Sequence, residues 1–229
     1  MLLIEDRRSE TQRASVSPEE MGKFARELAE RGILRGAAGP LRPDSEAARV
    51  RLRDGRAVVT DGPFPEASEV LGGYFVVDVA DRAAAVEIAK RCPYARTGLV
   101  EVRAMKYWRR SEGNGGAEFV LLYIMDPSVT GPDEPRIAKM MTATDELQRA
   151  GTHLGGARLE PEIPGTRVEL RGERAIVLDG PFAESKEVFG GFALIQAASR
   201  AEAIEIALRI PHSGWGTTEV REVGRRGAP

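Results

Sequence analysis

Alternating stretches of apolar and polar residues run along the 229-residue chain, and their spacing predicts both strands and helices. A short apolar run at 2–4 predicts a first strand. Ser17-Pro18-Glu19-Glu20 then has the pattern of a helix start, with a capping box and a proline in the first turn. The apolar residues that follow share one helical face: Met21, Phe24, Ala25 and Leu28.

Residues 49–60 carry the pattern of a β-hairpin. Polar and apolar residues alternate on both sides of Asp54-Gly55, and this dipeptide favours a type I′ turn. After it, residues 71–79 predict a strand, 85–92 have the apolar spacing of a helix, and 99–103 predict a last strand. The order β-α-β-hairpin-β-α-β is typical of a ferredoxin-like α+β unit.

The chain contains this unit twice. Asp61-Gly62-Pro63-Phe64 recurs as Asp179-Gly180-Pro181-Phe182 at an offset of 118, and residues 41–103 match 159–221 at 31 of 63 positions without gaps. In the second copy Gly172-Glu173 stands in place of Asp54-Gly55, and this dipeptide favours a type II′ turn. Repeats of this length indicate a duplicated domain.

The domain boundaries follow from the repeat. We predict a first domain at 1–104, a linker at 105–117, a second domain at 118–224 and a tail at 225–229. The linker ends in a glycine-rich run that does not favour a regular element.

Two predicted strands are apolar on both faces, Tyr74-Phe75-Val76-Val77 and its counterpart Phe192-Ala193-Leu194-Ile195. One face of each strand packs under the helices, and the other also needs cover because an exposed apolar sheet face invites association. We therefore predict that the two sheets pack face to face within one chain and enclose a cleft. This internal pseudo-dimer is expected to be a monomer or a weak homodimer.

Composition and charge give no support for a nucleic-acid-binding, membrane or secreted protein. The formal net charge of −2 gives no electrostatic reason to expect nucleic acid or a membrane as a partner. No apolar stretch reaches the length of about 18 residues that a membrane span needs, and the first six residues are too acidic for a signal peptide. The single cysteine, Cys92, lies on an apolar helix face and fits a reducing compartment, so a cytoplasmic location is expected.

The repeated motif resembles a known family. Asp179-Gly180-Pro181-Phe182, with the residues that follow as far as Gly190-Gly191-Phe192, is similar to the DGPF-domain branch of the YCII-related family. The first copy matches as well, with Pro65 and Ser68 replacing two positions. The resemblance implies the dimeric α+β barrel fold, here made from one chain.

The resemblance implies less about activity. The family is similar in fold to muconolactone isomerase-like proteins, and its simpler members carry a suspected His–Asp pair. The aligned positions are Met21 and Met140 for the histidine and Cys92 and Ile210 for the aspartate, so this chain lacks the pair. Proteins of the DGPF branch look linked to extracytoplasmic-function sigma factors, which implies a regulatory setting.

Carboxylates supply the candidate acid–base residues. Asp61 and Asp179 open the motif loops and could act as a general base, although a corner of this kind also caps its own backbone amides. Glu101 and Arg103 share one face of a strand, as do Glu219 and Arg221. These pairs are expected to face the cleft; the alternative is a solvent-exposed pair.

The remaining candidate ligand-binding residues are Tyr74, His153, Glu184, Lys186 and Phe192. His153 and His212 have no cysteine partners at metal-ligand spacing, so no metal site is expected. Nucleotide-binding, serine-hydrolase and zinc-protease motifs are missing from the sequence, and no cofactor is expected.

Three functions follow from these residues. We expect a protein that binds a small polar or aromatic metabolite in the cleft between the sheets, with the better-formed site near the loops of the second copy. One alternative is a cofactor-independent isomerase or lyase that uses Asp61 or Asp179 as acid or base. The other is an accessory protein of sigma-factor-linked transcription regulation, which requires a filled cleft and an exposed apolar patch elsewhere. The sequence leaves open whether the chain is an enzyme.

Overall fold

Both repeats fold into the predicted mixture of helices and antiparallel strands. A computed structural model describes residues 1–6, 16–67, 69–110, 116–126, 128–129, 134–160, 164–180, 182 and 188–224. The helices are α1 (Pro18–Glu30), α2 (Arg82–Arg91), α3 (Glu134–Arg149) and α4 (Arg200–Arg209). The strands are β1 (Leu2–Asp6), β2 (Leu34–Pro40), β3 (Ala48–Arg53), β4 (Arg56–Asp61), β5 (Glu69–Val77), β6 (Leu99–Val102), β7 (Met105–Arg110), β8 (Ala117–Met125), β9 (His153–Leu159), β10 (Thr166–Arg171), β11 (Arg174–Asp179), β12 (Val188–Ala197) and β13 (Gly216–Glu222).

Local sequence signals set the ends of these elements. Ser17 accepts a hydrogen bond from the Glu20 amide at 3.2 Å, and the Glu20 carboxylate accepts one from the Ser17 amide at 3.0 Å, which is the predicted capping box. In the first hairpin both turn residues have positive φ, 51° at Asp54 and 72° at Gly55, as type I′ requires. In the second hairpin Gly172 alone has positive φ, in agreement with type II′.

The two repeats exchange their hairpins. The six-stranded sheet has the order β11-β10-β6-β1-β5-β2, and the seven-stranded sheet has the order β4-β3-β13-β8-β12-β9-β7. Strand β10 of the second repeat thus pairs with β6 of the first, and β3 of the first repeat pairs with β13 of the second. The sequence analysis predicted the hairpins but not this exchange.

Each exchanged hairpin completes the core of the other repeat. Val168 of β10 is fully buried in the core that α1 and α2 cover, and Val50 of β3 is fully buried in the core under α4. Burying a valine side chain is favourable by roughly 1.5–3 kcal/mol. Separating the repeats would therefore expose apolar surface on both.

The sheets pack face to face, as predicted. Tyr74 and Val76 of β5 contact Phe192 and Leu194 of β12 in a core between the sheets, while Phe75 points to the helices. The sheets do not close into one barrel. Within the described part of the chain, they are joined by an isolated bridge between Leu41 and Val223.

Residues 105–110, which the sequence analysis placed in the linker, form strand β7 against β9. Trp108 of this strand packs on Phe192, with ring centroids 6.0 Å apart, so the strand is anchored to the body of the protein by an aromatic contact. The glycine-rich run at 111–115 lies outside the described residues. Across the described segments, no helix is long and apolar enough to cross a membrane.

Helix α3 differs from its counterpart α1. Phe24 and Leu28 of α1 are buried, whereas α3 contributes only partly buried side chains such as Met140 and Leu147. Met141 of α3, although apolar, is 55% exposed. Helix α3 therefore buries less apolar surface against its sheet than α1 does.

Candidate functional site

An arginine of each exchanged hairpin pairs with a buried carboxylate of the sheet that it joins. Arg167 of β10 donates from Nε to Glu101 at 3.0 Å, and its two terminal nitrogens donate to the two oxygens of Glu69, each at 2.8 Å. Its guanidinium carbon lies 4.1 Å from the ring centroid of Phe182 in the repeated motif. We call Arg167, Glu69, Glu101, Arg103 and Phe182 the first arginine cluster.

The carboxylates keep this buried guanidinium charged. Burial by itself lowers the pKa of Arg167, but the hydrogen bonds and charges of Glu69 and Glu101 more than offset it, so the pKa lies above its ordinary value. Because both carboxylates belong to the first repeat and the arginine to the second, the ion pairs also join the two repeats.

The second arginine cluster consists of Arg49, Glu219, Arg221 and Phe64, the repeat-related counterparts of Arg167, Glu101, Arg103 and Phe182, together with Glu66. The counterpart of Glu69 is Glu187, which lies outside the described residues. Arg49 donates from Nε to Glu219 at 3.0 Å, reaches Glu66 at 3.4 Å, and stacks 4.1 Å from the ring centroid of Phe64. The phenylalanine of the repeated motif thus has the same role in both copies: it covers the hairpin arginine.

The predicted Glu–Arg strand pairs are present and buried. Arg103 lies 3.3 Å from Glu101, and Arg221 lies 3.1 Å from Glu219. At most about an eighth of any of these four side chains is exposed. The alternative of a solvent-exposed pair is therefore wrong at both positions.

A small cavity lies between the sheets beside Arg103. Its lining is mostly apolar: Met1, Leu2, Tyr74, Phe75, Val76, Arg103, Met105, Leu159 and Phe192. Arg103 supplies the charged side chain, Tyr74 a phenol, and Met1 the amino terminus, which donates to the Phe75 oxygen at 2.7 Å. The rings of Tyr74 and Phe192 lie 5.6 Å apart in its wall. With its open mouth the cavity holds about 260 Å³ of free space, but its enclosed part, about 10 Å³, has room for roughly one water molecule.

Arg103 and Arg221 occupy equivalent positions but have different surroundings. Arg221 is 1% exposed and donates to the backbone oxygens of Arg42 at 2.9 Å and of Leu71 at 3.1 Å, in addition to Glu219. Arg103 donates to Glu101, while its buried Nε has no hydrogen-bond partner among the described residues. The cavity therefore lies next to the arginine with the less complete set of partners.

Asp61 and Asp179 lie at the surface, away from this cavity. Asp61 is paired with Arg200 of α4, and Asp179 accepts from Thr166 at 2.6 Å and lies 3.8 Å from Arg82 of α2. Their side chains are 73% and 65% exposed. Both ion pairs connect a hairpin end to a helix of the other repeat.

Comparison with known proteins places the chain in a family. The YCII-related domain matches residues 1–109 and again residues 117–225. The chain belongs to the YCII-related family. An uncharacterized protein of Rhizobium meliloti (strain 1021) is 33% identical over 110 residues, which cover 45% of this chain and 89% of that relative. The aligned length corresponds to one YCII-related repeat.

The other candidate residues of this YCII-related chain that the structure describes do not join the cavity. His153 is buried at the start of β9 but does not line the cavity. Glu184 and Lys186 lie outside the described residues, so the placement of these two candidates and the expectation of a better-formed site near their loop stay predictions. Cys92 is buried in the helix-covered core, as expected, and burial raises the pKa of its thiol to about 11.

No group of three or more histidine, cysteine, aspartate or glutamate side chains could hold a metal ion within the segments that the structure describes.

The sequence analysis missed the hairpin arginines Arg49 and Arg167. One signal was available, since both arginines occupy the same position of the repeat and precede an apolar residue on an alternating strand. Their buried partners, Glu219 for Arg49 and Glu101 for Arg167, lie in the other repeat, however, so the sequence alone could not pair them. Met105 and Leu159 were missed because the cavity forms only where β7 and β9 meet the other sheet.

Proposed function

We propose that this YCII-related protein binds a small molecule with an aromatic or apolar body in the cavity between its sheets. The observation that carries the proposal is the lining itself. Tyr74, Phe192 and Leu159 form apolar walls around one cationic side chain, Arg103. Binding sites for small molecules commonly combine apolar walls with a few placed polar groups.

The small enclosed volume requires that a side chain move when the ligand enters. Met105 lines the cavity, is half-buried, and belongs to the edge strand β7. Methionine is unbranched, has three rotatable side-chain bonds and adapts readily to new neighbours. We assign Met105 as the residue that a ligand displaces.

A matched pair of tryptophan variants tests the proposal. In Met105→Trp a larger ring fills the mouth of the cavity, whereas Lys106→Trp places the same ring on an exposed neighbouring position of the strand. The probes are benzyl alcohol, phenol, indole and benzoate, measured by thermal shift and by calorimetric titration. A compound at 100 times its Kd stabilises a protein by about 2.7 kcal/mol.

We expect at least one compound to bind the wild type and Lys106→Trp equally, and Met105→Trp at least tenfold more weakly. Equal binding to Met105→Trp would contradict the proposed site. No binding of any probe to the wild type would count against a ligand-binding function and favour the interaction role, for which Val58, Val59, Val177 and Leu178 are exposed on the outer hairpin strands.

We do not extend the proposal to an isomerase or lyase. That alternative uses Asp61 or Asp179 as acid or base, and neither carboxylate belongs to the described lining of the cavity. Glu101 is buried next to Arg103, but two guanidinium groups already bond to it.

A further inference from the structure

We infer that the ligand of the inter-sheet cavity carries a carboxylate group and that Arg103 binds it. This inference rests on the proposed binding function and adds the chemical class of the ligand. It comes from a comparison that the duplication makes possible, because the chain holds the same Glu–Val–Arg segment twice in two different environments.

Arg221 shows which hydrogen-bond acceptors the fold provides for an arginine at this position when no ligand is involved. Its guanidinium donates to two backbone oxygens, those of Arg42 and Leu71, and to the Glu219 carboxylate. These contacts use all three nitrogens of the guanidinium group. Arg221 has no access to the cavity, and its role is structural.

Arg103 lacks the two backbone contacts. The repeat-related counterparts of Arg42 and Leu71 are Glu160 and Phe189, and no hydrogen bond from Arg103 to either is present in the described part of the chain. Leaving a buried donor without a partner is unfavourable by about 1–3 kcal/mol, and by more for a charged group. An acceptor in the cavity would remove this penalty.

The negative charge near Arg103 does not fully compensate its positive charge, so an anion can bind there. Glu101 lies 3.3 Å from Arg103 but 3.0 Å from Nε of Arg167, so one carboxylate is shared between two guanidinium groups. The shorter of the two contacts belongs to Arg167. Arg103 is consequently the less compensated cation of the first arginine cluster.

The shape and polarity of the cavity favour a carboxylate over a phosphate. A guanidinium is a planar set of donors that matches the two oxygens of a carboxylate. The walls from Leu2, Val76 and Leu159 are apolar. The Met1 amine, whose pKa burial lowers to about 6, already donates to the Phe75 oxygen, so apart from Arg103 the lining offers little charge to compensate a doubly charged phosphate. An aromatic or aliphatic monocarboxylate fits both the single cation and the apolar walls.

A pair of probes of similar shape separates this inference from the proposed function. Benzoate carries the carboxylate, and benzyl alcohol is its neutral analogue. Both are titrated into the wild type, into Arg103→Met, and into Arg171→Met as a control. Arg171 lies in the same sheet, but its side chain is 73% exposed and pairs with Glu169.

We expect the wild type to bind benzoate more tightly than benzyl alcohol. Arg103→Met should bind benzoate roughly ten- to a hundredfold more weakly, the factor that a charge-assisted hydrogen bond supplies, with little change for benzyl alcohol. Arg171→Met should bind both as the wild type does.

Benzoate binding that is unchanged in Arg103→Met, or a wild-type preference for benzyl alcohol, would overturn the inference and leave the cavity as a neutral apolar site. If neither probe binds the wild type while phenol or indole does, this inference alone fails; if none of the four compounds binds, the proposed function itself fails. If Arg103→Met does not fold, Arg103→Lys replaces it. This variant keeps the charge but loses the fork of donors, and its benzoate affinity must still fall if the inference holds.

Discussion

His212 shows, at the scale of one residue, how the second copy has diverged from the first. It occupies the position of Tyr94 in the repeat and is 4% exposed. Nε2 lies 3.0 Å from the backbone oxygen of Ile124, and the ring packs against Tyr123 and Trp215. Burial lowers the pKa of His212, and the positive charge of Arg51 lowers it further.

This burial predicts a stability that depends on pH. The unfolded chain binds a proton at His212 near the ordinary pKa of about 6.5, while the folded chain binds it only at lower pH. His212 therefore favours the folded state above about pH 6.5, and this contribution is lost as the pH falls from that value toward the lowered pKa. His212→Tyr, which copies the residue of the first repeat, should reduce the fall in unfolding free energy between pH 7.5 and 5.5.

Urea unfolding of both proteins across this range measures the difference between their pH slopes. Because the two proteins share their other titrating groups, the difference between the two slopes reports the contribution of His212. Parallel curves would show that His212 binds its proton equally well in the folded and unfolded states.

At the scale of elements, the two hairpins depend on their turns. Gly55 has a φ of 72°, and a Cβ atom added there would meet no other atom within 4 Å. The effect of Gly55→Ala is therefore conformational rather than steric, and we expect it to lower the unfolding free energy by about 1 kcal/mol.

Gly22→Ala in α1 is the matched control for this substitution. Gly22 has an ordinary helical backbone, and a Cβ there would lie 3.5 Å from the flexible end of Arg26. Alanine should stabilise the protein at this position by up to about 1 kcal/mol. The same sign of change at both glycines, measured by urea unfolding, would contradict the assigned turn.

The sequence predicted the elements well because their signals are local. The capping box at Ser17, the turn at Asp54-Gly55 and the two-faced strand at 74–77 depend on neighbouring residues alone. The exchange of hairpins, in contrast, is not determined by neighbouring residues. Alternation in β3 places Val50 on one face whichever repeat the strand joins, so the pattern could not choose between β6 and β13. The partners of Glu101 and Glu219 depend on that choice, and the arginine clusters were missed for the same reason.

At the scale of the whole molecule, exchange joins the two repeats into one folding unit. Each hairpin contributes a fully buried valine and an arginine to the sheet of the other repeat, and this arginine is buried at Arg167 and partly buried at Arg49. The first arginine cluster beside the cavity consequently contains residues of both repeats, Arg167 from one and Glu101 and Arg103 from the other. A chain with unexchanged hairpins would assemble different clusters.

A pair of engineered disulfides tests this exchange most directly. Val168 lies opposite Val100 in the pairing of β10 with β6, whereas an unexchanged hairpin would place Val168 opposite Thr218, as Val50 is now. Residues opposite each other on antiparallel strands have Cα atoms about 4.5–5.5 Å apart, within the range that a disulfide spans. The native Cys92 is a free thiol buried in the same core as Val100 and Val168, so both double variants also carry Cys92→Ala.

The measurement is peptide mapping by mass spectrometry after mild oxidation of the two double variants. We expect Val100→Cys with Val168→Cys to form the bond nearly completely, and Val168→Cys with Thr218→Cys to remain reduced. A bond in the second variant and none in the first would contradict the exchange and, with it, the composition of both arginine clusters.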